Sequence, residues 1–194
     1  MSSDVSTSDV SIGVDLGGTN LRVAAMTREG KIIDRISVPA EAAEGPDKLL
    51  ERITQTIRRS IEKIEKDGLK PAGIGVGVPG IIYMERGLVK DAPNLPGWHD
   101  LAVRDRLQEG LKYPVILEND ANAAALGENW LGRGREVEHL CLLTLGTGVG
   151  GGFVMNERIW HGFRGMAGEA GHINVYPDGV PCNCEGRGCL EQYA

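Results

Sequence analysis

Val10-Ser11-Ile12-Gly13-Val14-Asp15-Leu16-Gly17-Gly18-Thr19-Asn20-Leu21-Arg22-Val23-Ala24-Ala25-Met26 decides the architecture. Val10 to Val14 reads as a buried strand, Asp15 to Asn20 as a tight polar turn, and Leu21 to Met26 as a returning strand. Arg28-Glu29-Gly30 then turns the chain into a third strand, Lys31 to Val38. Three strands joined by short turns form an antiparallel meander.

The opening pattern returns later in the chain. His139 to Leu145 reads as a strand, Gly146-Thr147-Gly148 as a turn, and Gly150 to Met155 as a strand coming back. The two glycine-threonine turns lie about 130 residues apart, and such duplication predicts two lobes of like construction facing one cleft. Between them, Leu50, Ile53, Ile57, Ile61 and Ile64 step by three and four, which predicts an amphipathic helix over Pro46 to Asp67, closed by Gly68. Gly73 to Val78 reads as a short buried strand running into Pro79-Gly80, followed by an irregular loop through Trp98. A helix over Asp100 to Leu111, a strand over Val115 to Leu117 and an alanine-rich helix over Ala121 to Leu131 complete the pass. The boundary falls near Glu118: residues 10–117 form a first lobe and 118–194 a second, after a Ser/Thr/Asp tail over 1–9 that is expected to be disordered.

Composition bounds the function. A chain of 194 residues with 41% hydrophobic content can bury one good core or two small ones. A formal net charge of −6 argues against a sequence-independent nucleic-acid surface, which needs a clustered basic excess. No apolar run reaches the length of a membrane span, and the tail has neither the basic start nor the apolar centre of a signal peptide. The expected location is the cytoplasm. Cys141, inside Leu140-Cys141-Leu142-Leu143, is expected to be a buried inert thiol.

The 28 glycines gather at the two turns, over Gly73 to Gly80 and over Gly162 to Gly171, where they permit tight turns and close approach of backbone to a ligand. Asp15, Gly17, Gly18, Thr19 and Asn20 in one turn, and Gly146, Thr147 and Gly148 in the other, offer converging backbone N–H groups and hydroxyl donors for an anion. One such turn per lobe suits the phosphates of a nucleotide, and Asp15 can hold Mg²⁺ through its waters. Taken singly, each turn is equally an ordinary hairpin. Gly146, Gly148 and Gly151 also satisfy G-x-G-x-x-G, but a dinucleotide site needs a helix next, and Gly150 to Met155 reads as strand. Asp120 sits where a strand gives way to a helix; it is either a helix cap or a carboxylate kept ionised by the helix dipole. The latter suits a phosphoryl-transfer base, which mainly orients a hydroxyl and takes its proton late.

Glu169 to Glu191 concentrates His172, Cys182, Cys184 and Cys189, the number and type of ligands that a closed tetrahedral Zn²⁺ site uses, with Pro and Gly between them to fold the chain back. A disulfide or a chance cluster is the plainer alternative, and it lacks any sign of an oxidising compartment.

Asp15-Leu16-Gly17-Gly18-Thr19, Glu118-Asn119-Asp120-Ala121-Asn122-Ala123-Ala124, Leu145-Gly146-Thr147-Gly148-Val149-Gly150-Gly151 and the segment Gly168 to Glu191 together resemble the ROK family of repressors, open-reading-frame products and sugar kinases. Gly77-Val78-Pro79-Gly80 and Ala92-Pro93-Asn94-Leu95 are similar to its glucokinase branch. The resemblance implies an α/β actin/hexokinase-like (ribonuclease-H-like) ATPase fold with two lobes. It further implies an ATP-dependent hexose kinase, most closely one that phosphorylates the glucose 6-hydroxyl, with Mg²⁺ and a structural Zn²⁺. Carried over by position, Asp120 is the general base, while Gly80, Asn94, Asn119, Asp120, Glu169, His172 and Glu191 hold the sugar. N-acetylmannosamine, N-acetylglucosamine and fructose are alternative substrates, ADP or polyphosphate alternative donors, and a dimer or tetramer the implied assembly. A sugar-sensing repressor is the remote alternative: such proteins carry a DNA-binding segment ahead of the first turn, where only nine or so residues stand here, and often lose the phosphate-turn residues. ROK kinases continue beyond the point where this sequence stops, so the second lobe is expected to be incomplete and the chain an N-terminal fragment.

Overall fold

The structure is a computed structural model that describes residues 10–146 and 148–194. The tail over 1–9 and Thr147 lie outside the described residues. The chain divides into two compact units, the first closing at Asp120 and the second opening at Ala121.

The first unit is built on β1 (Val10–Leu16), β2 (Asn20–Thr27), β3 (Ile32–Pro39), β4 (Pro71–Val78) and β8 (Val115–Asn119), in the order β3-β2-β1-β4-β8. The predicted meander supplies its antiparallel half, while β4 and β8 pair in parallel with β1 and β4. Val10, Ile12, Val14 and Leu16 of β1 and Leu21, Val23 and Ala25 of β2 alternate into the core, so Ser11 and Asp15 point away from it. The crossover to β4 is α1 (Pro46–Glu65), with Pro46 at its first position, where a missing N–H costs nothing. Leu49, Leu50, Ile53, Ile57, Ile61 and Ile64 form its buried stripe. Burial of each such side chain contributes about 1.5–3 kcal/mol, which is what holds the helix on the sheet. A second helix, α2 (Val103–Leu111), buries Val103, Leu107 and Leu111 and leads into β8.

The stretch expected to be irregular holds a small antiparallel sheet of β5 (Ile81–Tyr83), β6 (Leu88–Asp91) and β7 (His99–Leu101). Strands of three or four residues are too short to show an alternating pattern, and Gly87, Pro93 and Pro96 interrupt what pattern there is. Because β7 takes His99 to Leu101, α2 starts later than the sequence suggests.

The second unit carries α3 (Asp120–Trp130) from Ala121 onward and the sheet β11-β10-β9, formed by β9 (His139–Leu145), β10 (Val149–Met155) and β11 (Arg158–Ile159). The α3 helix lies close on one face of β10: a Cβ added to Gly152 would fall 2.7 Å from Ala125 Cβ and 2.8 Å from the Ala121 carbonyl oxygen. Small residues on both partners are what permit this approach. The opposite face of β10 meets Gly168 and Ala170 at Gly151. Cys141 is exposed, contrary to the buried thiol expected. It shares a face of the edge strand β9 with Leu143 and Leu145, and all three are exposed. No helix among the described residues is long and apolar enough to cross a membrane.

Candidate active site and metal centre

In the first unit the β1–β2 hairpin turn is closed by the Gly17 N–H, which donates to the Asn20 carbonyl at 2.9 Å. Gly18, Thr19 and Asn20 are exposed at its tip. Asp15 projects outward at the end of β1, and its Oδ2 accepts from Arg22 Nη1 at 2.8 Å. Arg22 is absent from the residues singled out by sequence, although a hairpin register that pairs Leu16 with Leu21 puts Asp15 opposite Arg22.

Asn94 stands on the loop between β6 and β7. The Ala92 N–H donates to the Trp98 carbonyl at 3.1 Å, the Leu95 N–H to Ala92 at 2.8 Å and the Trp98 N–H to Leu95 at 3.1 Å. Ala92, Leu95 and Trp98 are buried, so the loop is anchored from within and Asn94 is displayed at the surface. Gly80 backs this loop with φ +97°, a left-handed conformation, and any Cβ there would run into the Asp91 carbonyl oxygen. The Gly80 carbonyl accepts from Asn119 Nδ2 at 3.1 Å, which fixes Asn119 at the end of β8. Asp120 follows as the first residue of α3, half-buried.

In the second unit the Gly146 N–H donates to the Gly148 carbonyl at 3.0 Å, closing the β9–β10 turn. A Cβ on Gly148 would fall 2.8 Å from Glu191 Oε2, so Glu191 stands beside that turn. His172 ends the 3-10 turn Ala170–His172, where its N–H donates to the Glu169 carbonyl at 3.0 Å. Its Nε2 faces Glu169 Oε2 at 3.8 Å, and its Nδ1 faces Glu191 Oε1 at 3.6 Å and Cys182 Sγ at 3.7 Å. Ligand atoms of His172, Cys182, Cys184 and Cys189 all lie within 4.8 Å of one another. Cys184 and Cys189 Sγ are 3.6 Å apart, and all four cysteines of the chain are free. Desolvation and the two neighbouring thiols push Cys189 up to about 12, whereas the Gly186 backbone amide holds Cys184 below the usual thiol range. Tyr193, which sequence reasoning passed over, braces this segment by accepting the Val180 N–H at 2.8 Å.

The structure therefore places Asp15, Gly17, Gly18, Thr19, Asn20, Gly80, Asn94, Asn119 and Asp120 in the first unit, and Gly146, Gly148, Glu169, His172, Cys182, Cys184, Cys189 and Glu191 in the second. The chain belongs to the ROK family, whose pattern matches residues 11–194. It is 45% identical over 184 residues to a glucokinase of Halalkalibacterium halodurans, covering 94% of this chain and 56% of that protein. It is 36% identical over 183 residues to a xylose repressor of Caldicellulosiruptor bescii, covering 94% of this chain and 46% of that protein. Among solved structures, the ROK hexokinase of Thermus thermophilus superposes with a TM-score of 0.83 at 38% identity, over 95% of this chain and 60% of that one. The ROK glucokinase of Streptomyces griseus, in complex with glucose and AMPPNP, gives 0.79 at 36%, over 95% and 57%. The fold is accordingly actin/hexokinase-like, and the chain spans about half the length of the curated relatives it matches.

Proposed function

We propose that this member of the ROK family is an ATP-dependent hexose kinase that phosphorylates glucose at its 6-hydroxyl. One observation carries the reading. The glycine turn of the first unit lies against the loop that displays Asn94, an arrangement that supports a phosphate-binding turn beside a polar sugar-binding residue in one compact unit. Similarity to glucokinases, one solved with glucose and AMPPNP, supports the choice of substrates.

Gly17, Gly18, Thr19 and Asn20 of the first turn hold donor phosphates, and Gly146, Thr147 and Gly148 form a second turn with the same capacity. Asn119, fixed by Gly80, and Asn94 orient hydroxyls of the sugar. Glu169, His172 and Glu191 accept or donate to further hydroxyls. The Asp120 carboxylate takes the proton of the 6-hydroxyl as that oxygen bonds to the γ-phosphorus and the bond to the β,γ-bridging oxygen breaks, releasing ADP. Asp15 would hold Mg²⁺ through water, and that ion supplies neutralisation of phosphate charge.

The donor set fits zinc. All four ligand atoms lie within 4.8 Å of one another, and one Sγ–Sγ and one Sγ–Nδ1 separation, 3.6 and 3.7 Å, match the edge of about 3.8 Å expected of a tetrahedron with Zn–S bonds of about 2.3 Å. They are far longer than a disulfide bond of about 2.05 Å. His172 Nδ1 and the three thiolates would hold the ion, a structural link that keeps Glu169 and Glu191 in place. A cytoplasmic location is part of the same proposal. Assembly as a dimer or tetramer follows the family resemblance.

ADP release measured against glucose, N-acetylmannosamine, N-acetylglucosamine and fructose tests the reading. In the full-length protein glucose should give the highest kcat/KM, with turnover on the order of 1–1000 per second. The match to a xylose repressor favours a second reading, a sugar sensor, which predicts sugar binding without hexose-dependent ADP release.

A further inference from the structure

A methyl group added at Gly18 would lie 3.2 Å from the Asn94 carbonyl oxygen and 3.7 Å from Asn94 Cβ, close enough that one side must give by a few tenths of an ångström. The Asn94 loop has little internal freedom to absorb this. Leu95 and Trp98 are 1% and 2% exposed, and three backbone hydrogen bonds close the loop on itself. Its Gly97 abuts α1, where an added Cβ would fall 3.1 Å from Pro46 Cδ. Its neck is clasped by His99 Nδ1 at 3.5 Å from Asp91 Oδ1, His99 Nε2 at 3.1 Å from Asp100 Oδ2, and Lys90 Nζ at 2.8 Å from Asp100 Oδ2. From behind, Gly80 supports Asp91 and Ala92, and Asn119 holds Gly80. A loop braced on these sides shifts as a body, so a push at Gly18 reaches the Asn94 side chain.

We infer that Gly18 is a positioning residue for the sugar as well as part of the phosphate turn, setting where Asn94 stands and so coupling the occupancy of the turn to that of the sugar loop. The inference rests on the kinase reading and names a dependence within its site. Coupling of this kind is reciprocal: whatever donor binding does to sugar affinity, sugar binding does to donor affinity.

Calorimetry with glucose and no nucleotide tests it. Gly18→Ala should weaken glucose binding about three- to tenfold, the loss expected of one displaced hydrogen bond. In an Asn94→Ala background the same change should alter glucose affinity by less than about twofold, because the residue it displaces is gone. In the unaltered protein, saturating glucose without nucleotide should slow hydrogen exchange at the Gly18 amide, a measurement that needs no variant to fold. Unchanged glucose affinity in Gly18→Ala, an equal loss in both backgrounds, or exchange at Gly18 indifferent to glucose would each overturn the inference while leaving the kinase reading intact. A parent protein that binds no hexose overturns both.

Discussion

Asp34 on β3 keeps its charge although its side chain is only 1% exposed. Burial works to raise its pKa and is outweighed by hydrogen bonds from Lys63 Nζ and Ser60 Oγ, the Lys63 charge and the Arg35 backbone amide, leaving it below the usual carboxylate range. A depressed pKa contributes stability that is present above the unfolded value and lost as pH falls through the folded one. Asp34→Asn should therefore cost about 2 kcal/mol at pH 7, the scale of hydrogen bonds to a charged group. The difference should be smaller in acid, as pH falls through the parent's lowered pKa and protonates it as well, than at pH 7. Urea unfolding of both proteins at the two pH values reads this out, and a pH-independent difference would assign the loss to packing instead. Asp120 belongs to the same scale. If it takes the proton of the attacking hydroxyl, Asp120→Asn should lower kcat by about 10²–10⁴-fold with glucose binding retained. Near-normal turnover would make it a helix cap.

At the scale of elements, the segment from Glu169 to Glu191 has little regular structure of its own. It holds short 3-10 turns and the isolated pairings Asn174 with Cys189 and Pro181 with Arg187. A metal is then the natural cross-link, and binding and local folding should be one event. The purified protein should carry one Zn²⁺ per chain, and its removal by a chelator should speed hydrogen exchange from Glu169 to Glu191 while leaving α1 protected. Absence of zinc on elemental analysis, with intact thiols, would count against the site. This cluster was legible in sequence because its ligands are close along the chain. The meander, α1 and α3 were legible too, since long periodic elements override local ambiguity: α1 was expected over 46–67 and spans Pro46–Glu65. The β5–β7 sheet was not, and neither was the closeness of the Gly18 turn to the Asn94 loop. Both depend on tertiary placement, for which short strands and a bare glycine leave no periodic trace. The exposure of Cys141 escaped for a related reason: an apolar run does not say which face of a strand is covered.

For the molecule as a whole, the two units differ in how well they enclose their apolar residues. Among the described residues, every exposed large hydrophobic side chain other than Ile32 and Ile116 belongs to the second unit, with Leu145 at 77% and Phe163 at 83% exposure. Its sheet meets α3 on one face at Gly150 and Gly152, and Leu143 and Leu145 on the other face of β9 remain open. Contiguous exposed apolar surface binds apolar solutes and promotes association. The native protein should therefore enhance the fluorescence of a hydrophobic dye. Leu145→Lys combined with Phe163→Ser should remove a larger share of that signal than Ile116→Lys, which alters a lone apolar side chain on the first unit. A formal net charge of −6 opposes association at low ionic strength, so light scattering should rise as added salt screens the repulsion. Dye fluorescence no higher than that of a well-enclosed protein, or a signal removed as fully by Ile116→Lys, would mean that the second unit covers its apolar face in solution.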